Sequence, residues 1–143
     1  IHIRYENRFS LEVNVSEDAM DLEVPQLILQ PVVENAVQHG LRGRVGEGVV
    51  VIQGGITEKY LEITVIDNGV GMTQQRLEYV RKLLESHETE NHPRSKRASI
   101  GIKNVYDRIR LIYGDEYNIE ISSCEGIGTI VKYRLPVTKS GKK

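Results

Sequence analysis

Apolar residues recur along this chain with two different periods, and the irregular order of these periods is the feature that most restricts the fold. Period-two alternation and β-branched runs predict strands at residues 11–15, 49–56, 60–66, 117–124 and 129–135. A period of about 3.6 predicts helices at residues 25–40, 77–84 and 102–112. Strands and helices do not alternate regularly in this order, which argues against a doubly wound parallel sheet. The pattern predicts an α+β fold with two layers, in which helices cover one face of a mixed β-sheet.

Prolines, glycines and one long polar segment mark the predicted boundaries. Pro25 opens the first helix, where a missing N–H group breaks no helical hydrogen bond, while Pro31 inside the same pattern predicts a kink or a restart. Residues 57–59 predict a tight hairpin, and Gly114 ends the last helix. Residues 85–99 are polar and have no period, so they predict a long loop, and such loops in compact domains are often functional lids.

Length, charge and cysteine content restrict the possible functions. The 143 residues suffice for one domain with its own core, and 39% hydrophobic and 27% charged residues are typical of globular proteins. The net charge is −1 and the basic cluster at residues 94–97 is short, so we expect no nucleic-acid partner. Cys124 is the only cysteine, which excludes an intrachain disulfide, and its strand-like surroundings predict a buried, inert thiol.

The two ends of the sequence predict a domain cut from a longer protein. The first residue is isoleucine, and residues 1–6 alternate apolar and charged side chains, which is not the pattern of a signal peptide. No apolar run approaches the roughly 20 residues that a membrane-spanning helix needs. We therefore expect further segments, including any membrane spans, upstream. Residues 1–8 by themselves fit either a strand or the last turns of a helix that enters from upstream.

The first of four motifs with chemical potential lies in the first predicted helix, at residues 34–40 (the asparagine motif). Asn35 and His39 are four residues apart and share one helical face, with Glu34 at its side. A solvated polar stripe explains these residues when they are taken alone. A carboxamide oxygen can also bind Mg²⁺, which prefers few protein ligands together with phosphates and water. A histidine one turn further on could donate a hydrogen bond to phosphate.

The second motif, residues 67–71 (Asp-Asn-Gly-Val-Gly, the first glycine motif), follows a β-branched strand and precedes a helix. Its glycines allow a close backbone approach to a ligand. It is not the dinucleotide fingerprint, because Gln74 occupies the place of the third glycine, and no P-loop sequence occurs in the chain. A buried aspartate at a strand end can accept a hydrogen bond from an exocyclic amine such as that of adenine. The alternative is a plain turn.

The third and fourth motifs lie at later boundaries. Residues 99–104 (the second glycine motif) join the polar loop to a helix, whose free N–H groups and dipole favour phosphate binding. The alternative there is an ordinary Ser99 N-cap. Residues 126–129 (the last glycine motif) form by themselves only a glycine hairpin.

In this order and spacing, the four motifs resemble those of the ATP-binding domains of histidine kinases, gyrase-type topoisomerases, mismatch-repair ATPases and a class of chaperones. The resemblance covers nearly the whole chain. Residues 25–40 (PQLILQPVVENAVQHG) and 101–109 (GIKNVYDRI), followed by Tyr113 and Gly114, are similar to LytS-type sensor histidine kinases. The resemblance implies a two-layer α/β sandwich with an ATP lid, which transfers the γ-phosphoryl group of ATP to a histidine.

The resemblance also implies a role for each motif residue. Asn35 would hold the Mg²⁺ ion that bridges the nucleotide phosphates. Asp67 would bind the adenine amino group, with Thr129 in support. Glu34 would be the catalytic carboxylate that polarises the incoming histidine. The remaining nucleotide-binding residues would be His39, Gly69, Gly71, Lys96, Arg97, Gly101, Ile102 and Asn104.

A domain division and a set of partners follow from the same resemblance. Residues 1–9 would be the tail of an upstream dimerisation helix, residues 10–137 the ATP-binding catalytic domain, and residues 138–143 a polar tail. None of the 4 histidines stands in a phospho-acceptor context, so the acceptor is expected upstream. Besides ATP and ADP, the expected partners are that upstream segment and a response regulator. The whole protein would be a homodimeric bacterial inner-membrane sensor with this domain in the cytoplasm.

Two departures from the family pattern bear on the alternatives. Ser99 occupies the place of the first glycine in the second glycine motif. Pro31 stands where ATP-hydrolysing clamps of the superfamily have a water-activating glutamate, which disfavours such a clamp. The long asparagine motif argues against an anti-sigma serine kinase. A non-catalytic nucleotide-binding module stays open, because its binding residues would be the same.

Overall fold

The computed structural model describes residues 2–5, 9–20, 24, 26–41, 48–85 and 97–137. Within these ranges the helices and strands are β1 (His2–Tyr5), β2 (Phe9–Val15), a short 3₁₀ helix (Glu17–Ala19), α1 (Gln26–Leu41), β3 (Gly48–Thr57), β4 (Tyr60–Asp67), α2 (Gln74–Glu85), α3 (Arg97–Tyr113), β5 (Asn118–Cys124) and β6 (Gly128–Pro136). The tight hairpin between β3 and β4 and the helices α1 and α2 lie where the sequence predicts them, whereas α3 begins five residues earlier, within the predicted loop.

The six strands form one mixed sheet in the order β1-β2-β3-β4-β6-β5. β2 and β3 are parallel, because α1 provides the crossover between them, and the other neighbouring strands are antiparallel. On β4, Leu61, Ile63 and Val65 are buried, while the alternate side chains are only partly buried. The three helices pack on the buried face of the sheet. These observations confirm the predicted α+β fold with a mixed sheet covered on one face by helices.

Helix α1 continues through Pro31, so no restart occurs there. The proline removes one helical hydrogen bond, but Ile28, Val32 and Ala36 on the same helix are buried in the core, and this packing outweighs the loss. A further contact joins the helix to the sheet: the buried Tyr133 hydroxyl of β6 donates to the backbone carbonyl of Ile28 at 2.6 Å. Burial raises the pKa of Tyr133, so the hydroxyl remains a donor at any ordinary pH.

Removing this hydroxyl tests how firmly α1 is held against the sheet. We expect Tyr133→Phe to lower the free energy of unfolding by about 1 kcal/mol, because the buried carbonyl loses one donor while the ring packing is kept. Urea denaturation measures the change. Tyr60→Phe is the control, since Tyr60 is partly exposed on the opposite face of the sheet. Equal urea midpoints for the two variants would contradict a stabilising role for the Tyr133 bond.

The N-terminal segment differs from its prediction as a helical tail. His2–Tyr5 is a strand, and it pairs antiparallel with β2 in a register that places Ile3 opposite Leu11. The alternation of apolar and charged residues suits a strand, and pairing with β2 supplies the backbone with hydrogen-bond partners. Residues 1 and 6–8 of this predicted tail lie outside the described residues, as do residues 138–143.

One further expectation is wrong because of side-chain geometry, and one alternative is excluded by the position at which α3 begins. Cys124 is exposed, because successive strand residues face opposite sides, so it shares a face with exposed Glu120 and not with buried Ile119 and Ile121. Helix α3 begins at Arg97, so Ser99 lies within the helix and does not cap it. Of the predicted loop at residues 85–99, residues 86–96 lie outside the described part.

Candidate functional site

A cleft of about 300 Å³ lies between α1, the first glycine motif, α3 and the ends of β4 and β6. Its apolar walls are formed by Val32, Ala36, Val65, Val80, Ile121 and Val131, among others. The predicted site residues that line it are Asn35, Asp67, Gly71, Ile102 and Thr129. A larger groove of about 840 Å³ beside β2 is lined mainly by apolar side chains, and none of the predicted site residues that the structure describes lines it. The smaller cleft is therefore the candidate site.

Asp67 and Thr129 form the polar floor of the cleft. They are directly opposite each other on the neighbouring strands β4 and β6, and each is 6% exposed. The Asp67 Oδ1 atom accepts a hydrogen bond of 2.9 Å from the backbone N–H of Gly69. The carboxylate therefore has a fixed orientation, and Gly69 contributes through its backbone.

Asn68 holds the first glycine motif against β3, a role that the sequence analysis did not assign. Its side-chain oxygen accepts a hydrogen bond of 2.7 Å from the Val49 N–H, and its own N–H donates to the Val49 carbonyl at 3.2 Å. This pair of bonds continues the pairing of β3 with β4 by one residue beyond Asp67. Asn68 thus fixes the backbone next to Asp67, and the Gly69 N–H orients the carboxylate itself.

Two glycines are required where the motif loops pass the sheet. Gly71 has φ +70°, and a Cβ there would lie 2.1 Å from the Cys124 carbonyl oxygen. Gly128 has φ +147°, and its Cβ would lie 2.0 Å from the Asp67 carbonyl oxygen. Neither distance is compatible with a side chain, so the glycines allow the two glycine loops to close the cleft.

The Ser123 hydroxyl joins these two loops behind the cleft. It accepts a hydrogen bond of 2.8 Å from the Met72 N–H, donates to the Gly128 carbonyl at 2.9 Å and contacts the Thr129 hydroxyl at 2.9 Å. Ser123 belongs to none of the four sequence motifs. A signal was present, since Ser123 is the polar residue that follows Ile119 and Ile121 on the inward face of β5.

The asparagine motif is divided between the cleft and the outer surface of α1. Asn35 is partly buried and lines the cleft. Glu34 is exposed, is not among the residues that line the cleft, and accepts a hydrogen bond of 2.8 Å from the Gln30 side chain. His39 belongs to α1, but its side chain lies outside the described residues.

The second glycine motif is described only in part, and its described side chains differ in their position relative to the cleft. Ile102 is buried and lines the cleft, whereas Asn104 is exposed and does not. A Cβ added at Gly101 would meet no atom within 4 Å, so the protein's own packing does not require glycine there. Lys96 lies outside the described residues, as does the side chain of Arg97.

Lys103, next to Ile102, is a buried residue that the sequence analysis did not single out. It is 3% exposed, and its ammonium group donates to the Leu84 carbonyl at 3.1 Å and to Asp107 at 3.0 Å. The charge is therefore balanced by a carboxylate and by the C-terminal end of α2. The bond to Leu84 holds α3 against the C-terminal end of α2.

The polar atoms of the cleft restrict which metal could bind there. Among the described residues, no group of three or more histidine, cysteine, aspartate or glutamate side chains could hold a metal ion. The Asn35 carboxamide offers one hard oxygen ligand from α1. This donor set fits Mg²⁺ held mainly by phosphates and water, and it does not fit a metal enclosed by protein ligands.

No helix in the described part is long and apolar enough to cross a membrane.

Known proteins resemble this chain in sequence and in fold. The sensor protein kinase HptS of Staphylococcus aureus is 29% identical over 139 residues, which are 96% of this chain and 25% of that protein. The chain thus spans about a quarter of the length of the curated relatives that it matches.

Solved structures share the fold. The histidine kinase domain of the blue-light activated kinase from Erythrobacter litoralis EL346 has a TM-score of 0.55 at 21% identity, over 89% of this chain and 52% of that one. The catalytic domain of the histidine kinase ThkA has a TM-score of 0.63 at 15% identity, over 91% of this chain and 80% of that one.

The family comparison agrees with the geometry of the cleft. Residues 20–139 match the family described as "Histidine kinase-, DNA gyrase B-, and HSP90-like ATPase". This range includes every element from α1 to β6 and therefore every motif that surrounds the cleft. The chain belongs to the histidine kinase-, DNA gyrase B- and HSP90-like ATPase family.

Proposed function

We propose that this chain is the ATP-binding catalytic domain of a LytS-type sensor histidine kinase, whose acceptor histidine lies on a segment outside this sequence. One observation carries the proposal: Asn35, Asp67 and Thr129, from separate parts of the chain, line one cleft in a chain of this ATPase family. The names of the relatives, which are a sensor protein kinase and histidine kinase domains, support the kinase over other members of the family.

In this proposal the nucleotide base binds at the floor of the cleft and the phosphates lie towards α1. Asp67 accepts a hydrogen bond from the adenine amino group, since its carboxylate is buried and oriented by the Gly69 N–H. The apolar walls exclude water from the base. Asn35 would supply one oxygen ligand to Mg²⁺, and the ion would offset the negative charge of the phosphates.

The transfer step requires little covalent chemistry from the protein. An imidazole nitrogen of the acceptor attacks the γ-phosphorus, the bond to the β–γ bridging oxygen breaks, and ADP leaves. The imidazole gives up its N–H proton. Glu34 is the nearest carboxylate along α1 to Asn35, and its exposure allows an incoming helix to reach it. We assign to Glu34 the orientation of that imidazole and the acceptance of its proton.

A water-activating clamp is the less favoured alternative. The position one helical turn before Asn35 is Pro31, which has no group that could accept a proton from water. Phosphoryl transfer to an added acceptor is therefore favoured over hydrolysis in this chain.

Partners and location follow from the proposed kinase. The acceptor segment is upstream and dimeric, the next acceptor in the relay is a response regulator, and the whole protein is a homodimeric inner-membrane sensor with this domain in the cytoplasm. His39, Lys96 and Arg97 are assigned to the phosphates. Gly101, Gly71 and Ile102 are assigned to the walls of the nucleotide site. Asn104 is assigned to nucleotide binding together with the rest of the second glycine motif.

Glu34→Gln tests the transfer step apart from nucleotide binding. We expect transfer to an added acceptor-helix segment of the full-length protein to become at least about tenfold slower, because the amide cannot accept the imidazole proton. The ATP dissociation constant should change by less than about twofold, since Glu34 does not line the cleft. Radiolabelled ATP reports the transfer rate and calorimetry reports the affinity.

Glu78→Gln on the exposed surface of α2 is the matched control and should transfer phosphate at the rate of the unmodified domain. The domain without an added acceptor should stay unlabelled. A wild-type rate of phosphoryl transfer for Glu34→Gln would mean that Glu34 has only a structural role in α1. Stable phosphorylation of a histidine within this chain would place the acceptor here and contradict the proposal.

A further inference from the structure

The number of protons available behind the cleft fixes the direction of one hydrogen bond. Ser123 Oγ lies within 2.9 Å of the Gly128 carbonyl oxygen and of the Thr129 hydroxyl, and within 2.8 Å of the Met72 nitrogen. A carbonyl can only accept and a backbone N–H can only donate. The Ser123 hydroxyl therefore donates its single proton to the Gly128 carbonyl oxygen. The Thr129 hydroxyl must then donate its own proton to Ser123.

This direction decides what Thr129 can offer to a ligand. With its proton directed to Ser123, the Thr129 oxygen can only accept hydrogen bonds from the cleft. Asp67, which lies directly opposite Thr129 in the sheet, has a carboxylate that is also only an acceptor. The floor of the cleft therefore presents two acceptors and requires a donor on the ligand.

We propose that Ser123 is a specificity-determining residue, which makes the site select purine nucleotides with a 6-amino group against those with a 6-oxo group. This inference rests on the proposed binding of ATP in the cleft. An amino group donates to the acceptors on the floor, whereas an oxo group brings a third acceptor to a buried site and leaves polar atoms unpaired. Ser123 acts without touching the base, through the orientation of the Thr129 hydroxyl.

Inosine triphosphate is the suitable probe, because its base has a 6-oxo acceptor where adenine has the 6-amino donor, and an N1–H group where adenine has an unprotonated N1. Calorimetry with ATP and with inosine triphosphate gives a ratio of dissociation constants for each variant. We expect Ser123→Ala to lower the preference for ATP at least about fivefold, because the Thr129 hydroxyl becomes able to rotate and donate into the cleft. Ser123→Thr keeps a hydroxyl at this position and should retain the wild-type ratio.

Ser122→Ala is the matched control, since Ser122 is the neighbouring residue on the exposed face of the same strand. A ratio in Ser123→Ala equal to that of Ser122→Ala would overturn the inference while leaving the ATP site intact. If Ser123→Ala does not fold, Thr129→Val decides: it removes the acceptor and should also lower the preference, and an unchanged ratio would overturn the inference. A wild-type domain that binds neither nucleotide would overturn both the inference and the proposed function.

Discussion

Gly128→Ala is expected to lower the free energy of unfolding by at least about 3 kcal/mol and to abolish nucleotide binding in the molecules that remain folded. The new Cβ would lie 2.0 Å from the Asp67 carbonyl oxygen and 3.0 Å from the Asn68 Cα. Both atoms belong to backbone that is fixed by the sheet, so neither can move like the end of a side chain. The ends of β4 and β6 would have to separate, and with them Asp67 and Thr129.

Gly126→Ala separates this clash from the effect of backbone conformation. Gly126 also has positive φ, +83°, but a Cβ there would meet no atom within 4 Å. Its replacement should cost only the strain of the left-handed conformation, about 1–2 kcal/mol. Urea denaturation of the two variants measures the difference. Equal losses of stability would mean that the close approach of the two strands is easily relaxed.

The sequence predicts those parts of the fold whose evidence is local. The β-branched runs of β3 and β4, the two residues between them and the apolar spacing of α3 each depend on neighbours within a few positions. Strand β1 could not be predicted in this way, because only its pairing with β2 distinguishes a short alternating segment from a helical tail. The choice between the two alternatives that the sequence left open therefore depends on a tertiary contact.

Two side-chain directions follow from geometry that the sequence already contained. Cys124 is three positions from Ile121, an odd number, so period-two alternation places them on opposite faces of β5. Asn104 is two residues from Ile102, about 200° around a helix, so α3 directs it away from the cleft. The buried thiol expected at Cys124 is therefore wrong, whereas the nucleotide-binding role of Asn104 stays a prediction.

The candidate site was predictable in its motifs but not in its supporting residues. Asn35, Asp67 and Thr129 belong to recognisable sequence patterns, and the structure brings them to one cleft. Ser123 and Lys103 are single residues whose partners are distant in sequence: Met72 is 51 residues from Ser123, and Leu84 is 19 residues from Lys103. No sequence pattern predicts such pairings, because they depend on how β5 and α3 pack against the other elements.

Asp67→Asn is expected to weaken ATP binding at least about tenfold, which is the largest effect on affinity that we expect from a nearly isosteric change. The Gly69 N–H, 2.9 Å from Oδ1, must keep an oxygen at that position. The amide nitrogen of the variant then takes the place of the other carboxylate oxygen. Two donors, the amide and the adenine amino group, would face each other in a site that excludes water.

Calorimetry with ATP measures this loss, and Asp115→Asn on the exposed loop after α3 is the control that should bind like the unmodified domain. The thermal unfolding midpoint without nucleotide should change little in Asp67→Asn, since the bond to Gly69 is kept. A weakened affinity together with an unchanged midpoint would locate the effect in the contact between the carboxylate and the base. Unchanged affinity would mean that Asp67 does not bind the adenine amino group, and that the base is recognised elsewhere in the cleft.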